Sequence, residues 1–157
     1  VNGKLVAGFI VIPALIVGAV VYYAQEYAYY RPVEAASAEA VIRITDIEGR
    51  AEPMLTDSFE GIDADSSPLR FRGCFRTPTS LAVLSETYAL YPEATPLNAP
   101  SWFTCFNSGL LTDDLATGKA VAFLSEKNIS PGVDRVVAVY PDGRAFAWQQ
   151  PNESAEK

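Results

Sequence analysis

Apolar residues are unevenly spread along this 157-residue chain. From Leu5 to Ala24 every position is aliphatic, aromatic, Gly, Ala or Pro, and no charge falls between Lys4 and Glu26. A helix rising ~1.5 Å per residue crosses the ~30 Å hydrocarbon core of a bilayer in ~20 residues. The pattern therefore predicts a transmembrane helix over about 5–24, inside an anchor of residues 1–30 that ends in a tyrosine-rich stretch, Tyr22 to Tyr30. Tyrosine suits the interface, where its ring stays apolar and its hydroxyl reaches water. A cleaved signal peptide is the competing reading, but such segments are shorter and end in small residues. Here bulky tyrosines follow, and Ala36-Ser-Ala38 lies well past the apolar run, so an uncleaved signal anchor is expected.

Beyond a linker at 31–39, the patterning changes to that of a folded domain over 40–150. Val41, Ile42, Ile44 and Ile47 alternate with Arg43, Thr45 and Asp46 as in a half-buried strand. Phe59–Ile62 and Leu69–Phe75 flank the turn-forming Asp63-Ala-Asp-Ser-Ser-Pro68 and predict a hairpin. Thr77-Pro78 offers a cap for a helix that carries Leu81, Leu84 and Tyr88. After a proline-rich loop, Asn107 or Ser108 can cap a second short helix stopped by Gly118. A strand at Ala120–Leu124 precedes a hairpin, Arg135–Tyr140 and Arg144–Trp148, joined by Pro141-Asp-Gly143. Residues 151–157 read as a disordered tail. The predicted class is α+β: one transmembrane helix, then a mostly antiparallel sheet with two short helices.

Charge and composition remove whole classes of function. A net charge of −7 argues against nucleic acid as a partner, since phosphate binding needs clustered Lys and Arg. The chain has no histidine, which excludes Ser-His-Asp and Cys-His nucleophiles, histidine-ligated haem and the usual zinc and copper sites. No phosphate-cradling glycine loop occurs, and Ser125-Glu-Lys127 has the wrong spacing for a Ser-Lys dyad. Carboxylate pairs such as Asp113/Asp114 or Glu86/Glu93 leave a hydrolase conceivable, although such neighbours are usually surface groups. The expectation is a non-enzyme with no catalytic residue, cofactor or metal.

Three sets of residues remain as candidates. Cys74 and Cys105 are the only cysteines; in an oxidising compartment a disulfide is the leading reading, beside a redox-active pair or two buried free thiols. Gly8, Pro13, Ala14 and Gly18 give the apolar helix small or kinking positions against which another membrane helix could pack. Asp46, Glu48, Glu52, Asp57, Glu60, Asp63 and Asp65 form an acidic stretch interrupted only by Arg50. That stretch reads as a calcium loop, a docking surface for a basic partner or plain solvated surface. Arg70 and Arg72 alternate beside it and are expected to form surface ion pairs.

Several segments together resemble a proteobacterial family of single-span membrane proteins known only as a domain of unknown function. They are Asn2 to Gly18 with the tyrosines that follow, Gly73-Cys74-Phe75, Trp102-Phe-Thr-Cys105 and Asp134 to Trp148. The resemblance implies a bacterial inner-membrane setting and supplies no active site. With only Lys4 and the terminal amine ahead of the helix, the N-terminus is expected in the cytoplasm and the domain in the periplasm. The leading functional expectation is an accessory or assembly subunit of a larger inner-membrane complex, such as a respiratory or other energy-transducing one. The expected partners are thus the lipid bilayer and an integral-membrane protein complex. A tethered periplasmic binding or adaptor module is the alternative, followed by an unrecognised redox or hydrolytic enzyme.

Overall fold

A computed structural model describes residues 2–156 of the chain. Helix α1 (Gly3–Tyr23) begins at Asn2, whose side chain accepts from the Lys4 N–H and satisfies a donor left over at the helix start. It continues through Pro13, buries no residue and passes directly into a π-helical turn, Ala24–Ala28. Helix and turn together make a 26-residue apolar segment long enough to cross a membrane, with mean hydropathy 2.6 over its most apolar stretch.

The rest of the chain is built on a six-stranded antiparallel sheet whose strands, in order across it, are β1 (Arg31–Val33), β4 (Asp57–Asp63), β5 (Arg72–Arg76), β8 (Arg144–Pro151), β7 (Val133–Val139) and β6 (Val121–Ser130). A separate small hairpin pairs β2 (Arg43–Thr45) with β3 (Ala51–Pro53). Helices α2 (Leu81–Thr87) and α3 (Ser108–Ala116) complete the domain. The α+β class, the antiparallel sheet and the short helices are as the sequence predicts.

Strand alternation places a core on each face of the sheet. Val137 and Val139 of β7 join Phe71, Phe75, Phe123, Ile42, Ile44 and Leu84, so the β2–β3 hairpin and α2 cover one face. Val136, Ala138 and Tyr140 point the other way, to Phe103, Phe106, Leu111 and Trp148, beneath α3 and the proline-rich loop. Trp148, Phe71 and Phe123 are fully buried, and each such side chain contributes ~1.5–3 kcal/mol. With both faces occupied, β7 is buried along its whole length.

Four details differ from the sequence reading. Residues 31–33, expected as linker, form β1, because pairing Arg31–Val33 with Gly61–Asp63 satisfies their backbone on the sheet edge. The cap of α2 is Ser80, not Thr77: the Ser80 side chain accepts from the Val83 N–H, while Thr77 bonds Thr79. The 151–157 stretch, expected as disordered, begins with the last residue of β8 and continues into a 3-10 turn, Glu153–Glu156. Asn152 ties it down, its amide donating to Asp134 and Asn128, and Lys157 lies outside the described residues. Finally, Arg72 is not a surface ion-pairing residue; it is buried and donates to the backbone carbonyls of Leu69, Phe71, Leu97 and Asn98. Four carbonyls stand in for water around the charge, and burial still pushes the guanidinium down to about 10.

Candidate functional site at the helix–domain junction

The last turn of a helix leaves carbonyl oxygens with no partner in the helix. Here the folded domain supplies partners. The Trp102 indole N–H donates to the Glu26 carbonyl at 2.6 Å, and Arg70 Nη1 reaches the Gln25 carbonyl at 3.4 Å. The Glu26 carboxylate in turn accepts the Ser101 N–H at 2.7 Å. An arginine at a helix C-terminus also offsets the negative end of the helix dipole.

Aromatic rings fill the space around these bonds. Tyr23 stacks on Tyr27 with centroids 5.6 Å apart, and Tyr27 stacks on Trp102 at 6.4 Å. Tyr30 meets Trp102 edge-on at 6.0 Å and lies under the Arg70 guanidinium at 5.4 Å, while its hydroxyl accepts from Arg70 at 3.2 Å. Trp102 also packs edge-on against Phe103, which is buried in the core. The junction is thus a continuous path from the apolar helix to the domain core. The sequence reading placed the tyrosines at an interface but gave Glu26, Arg70, Ser101 and Trp102 no part in a junction, because the bonds that join them to the helical turn link residues 45–76 apart along the chain.

The loop carrying Ser101 and Trp102 is held from its other end. Cys74 on β5 and Cys105 form a disulfide with Cα atoms 6.3 Å apart, which joins that loop to the centre of the sheet. Of the readings open for the two cysteines, the paired one is what the structure contains.

The seven acidic residues do not converge on one point. Asp46 and Glu48 belong to the β2–β3 turn: Asp46 accepts the Glu48 and Arg50 N–H groups and the Arg50 side chain, and Glu48 pairs with Arg50 at 2.7 Å. These bonds, chiefly the Arg50 N–H, hold the Asp46 carboxyl below its ordinary range. Glu52 on β3 accepts the Tyr88 hydroxyl, which pushes that phenol up to about 12. Asp57 and Glu60 are exposed on β4, Asp63 caps the following turn through the Ala64 N–H, and Asp65 faces Arg31 at 3.5 Å. Among the described residues no group of three or more His, Cys, Asp or Glu is placed to hold a metal ion.

Gly8, Pro13, Ala14 and Gly18 all lie on α1, where no side chain is buried. A Cβ added at Gly18 would meet nothing within 4 Å, and one at Gly8 would meet only Ile12 at 4.0 Å. The flank of the helix is open.

Of the carboxylates considered for hydrolysis, one is engaged in the fold. Asp114 is buried on α3 and accepts the Tyr140 hydroxyl at 2.8 Å, with Lys119 at 3.4 Å. An open groove of about 990 Å³ runs past Tyr91, Lys127, Gln150 and Asn152 to the buried Asp134. Asp134 already accepts from the Tyr91 hydroxyl at 3.0 Å, the Asn128 N–H at 2.8 Å and the Asn152 amide at 2.7 Å. It fastens the C-terminal segment and has little capacity left for a ligand. One Ser-x-x-Lys spacing does occur, Ser154 to Lys157. The Ser154 hydroxyl is bonded to Asn152, and Lys157 lies outside the described residues.

A family profile described as a family of unknown function (DUF6446) matches residues 42–157, and the chain belongs to that family. No curated protein and no solved structure matches the chain.

Proposed function

We propose that this family member is a non-catalytic accessory or assembly subunit of a larger membrane complex, with its domain held at a fixed position over the bilayer by the helix–domain junction. The observation that carries this reading is the clamp of Glu26 by Ser101 and Trp102. A tethered adaptor works by searching the volume a flexible linker allows. Here residues 24–33 are used up in the π-helical turn, the aromatic stack and β1, which leaves almost no slack. A domain fixed in height and direction suits a partner that is itself fixed in the same membrane.

The setting completes the proposal. The apolar helix spans a bacterial inner membrane, as in the proteobacterial single-span family the sequence resembles, with the N-terminus cytoplasmic and the domain periplasmic. An oxidising periplasm is compatible with the Cys74–Cys105 bridge. The open flank of α1 at Ala14 and Gly18 is the docking element, since small residues let helix backbones approach closely. A respiratory or other energy-transducing complex is the class of partner in view.

The test is purification from native membranes in mild detergent, with the co-purifying proteins identified by mass spectrometry. A defined integral-membrane complex should accompany the full chain and be lost from the Ala14→Leu/Gly18→Leu variant, which still inserts. Recovery of the chain alone, at every detergent mild enough to preserve other complexes, would overturn the proposal.

A further inference from the structure

The junction also has an outward face, and its position along the membrane normal follows from length. Helix α1 has 21 residues, so at ~1.5 Å per residue it spans ~31 Å and leaves the hydrocarbon core near Tyr23. The next turn of chain, Ala24–Ala28, then stands at headgroup level, and Trp102 is bonded to it through Glu26. Tyr22, Tyr23, Tyr27 and Tyr29 are 61%, 62%, 42% and 52% exposed, and Trp102 is 40% exposed.

Exposed rings of this kind are costly in water and favourable at the membrane interface. An indole usually needs a partner for its N–H when it leaves water. The Trp102 N–H already has one in the Glu26 carbonyl, so its ring can enter the headgroup layer without stranding a donor.

We propose that Trp102, together with Tyr23 and Tyr27, is seated in the lipid headgroup layer of the bilayer that α1 crosses, so that the disulfide-held loop of the domain is itself a membrane-contact surface. The occupant of this face is lipid, because the face is continuous with the apolar helix and lies at the depth the helix length sets. The proposal rests on the membrane-spanning reading of α1 and adds to it a contact made by the folded domain. The Cys74–Cys105 bridge then has a second consequence: it fixes the loop that meets the membrane to the centre of the sheet.

Tryptophan fluorescence of the full chain reconstituted in phosphatidylcholine vesicles tests this. The other tryptophan, Trp148, is fully buried in the domain and supplies a constant background, read from the Trp102→Phe variant. The expected result is that Trp102 emission is lost when the lipid carries bromine near the headgroup end of its acyl chains. Bromine near the methyl end should quench less, and aqueous iodide should have little effect. Quenching of Trp102 by iodide and not by brominated lipid, in chains that resist alkaline extraction, would overturn the contact while leaving the membrane helix intact. Release of the chain by alkaline extraction would overturn the spanning helix and the contact together.

Discussion

Gly143 closes the turn between β7 and β8 at φ +87°, and a Cβ there would sit 2.8 Å from the Thr77 carbonyl oxygen. Left-handed backbone costs a residue with a side chain ~1–2 kcal/mol, and here the obstructing atom is backbone that cannot swing away. Gly143→Ala should therefore lower stability by ~2 kcal/mol or more in denaturant unfolding of the detergent-solubilised chain. Asp63 offers a pH-dependent counterpart. Burial raises its carboxyl pKa, an effect only partly countered by the Ala64 N–H and Arg31. A carboxyl raised in the folded state costs stability when ionised, and that cost is relieved as pH falls through the folded value. Asp63→Asn should be more stable than wild type at pH 7 and lose its advantage below about pH 4, where both forms are neutral. At this scale the sequence was half legible. Pro141-Asp-Gly143 announced a turn, but the same local pattern gave no sign that Arg72 would be buried, because its four carbonyl partners include Leu97 and Asn98 on a loop far along the chain.

Among the elements, those defined by local periodicity were readable and those defined by a distant partner were not. Both main hairpins carry their own turn residues, and α3 carries its own cap, Asn107, which accepts from the Leu110 N–H. Strand β1 is three residues long with a central proline, so only its pairing with β4 makes it a strand. Helix α2 starts from Ser80 rather than Thr77: both are good caps by residue type, and the backbone decides between them. The Cys74–Cys105 bridge was legible as a leading reading, but not what it secures. It closes a separation of 31 residues, so replacing both cysteines with serine should lower stability by ~4 kcal/mol on the chain-entropy estimate. The same variant should release the Trp102 loop, seen as a shift of Trp102 emission toward that of a water-exposed indole before global unfolding begins.

For the molecule as a whole, the apolar helix was the most legible feature and its attachment the least. A run of ~20 apolar residues shows by itself a helix long enough to cross a bilayer. A clamp made by Glu26, Arg70 and Trp102 declares nothing, since charged and aromatic residues so far apart in sequence become partners only when the sheet, the bridge and the loop are in place. That clamp is the central claim, for it separates a subunit held in place from a module on a tether. The most direct measurement is the spin-label distance between a site on α1, Val17→Cys, and an exposed site on the domain, Lys119→Cys, in the bilayer-reconstituted chain. A fixed junction predicts one narrow distance distribution that broadens in Trp102→Ala. A broad distribution in the wild-type background, unchanged by Trp102→Ala, would contradict it.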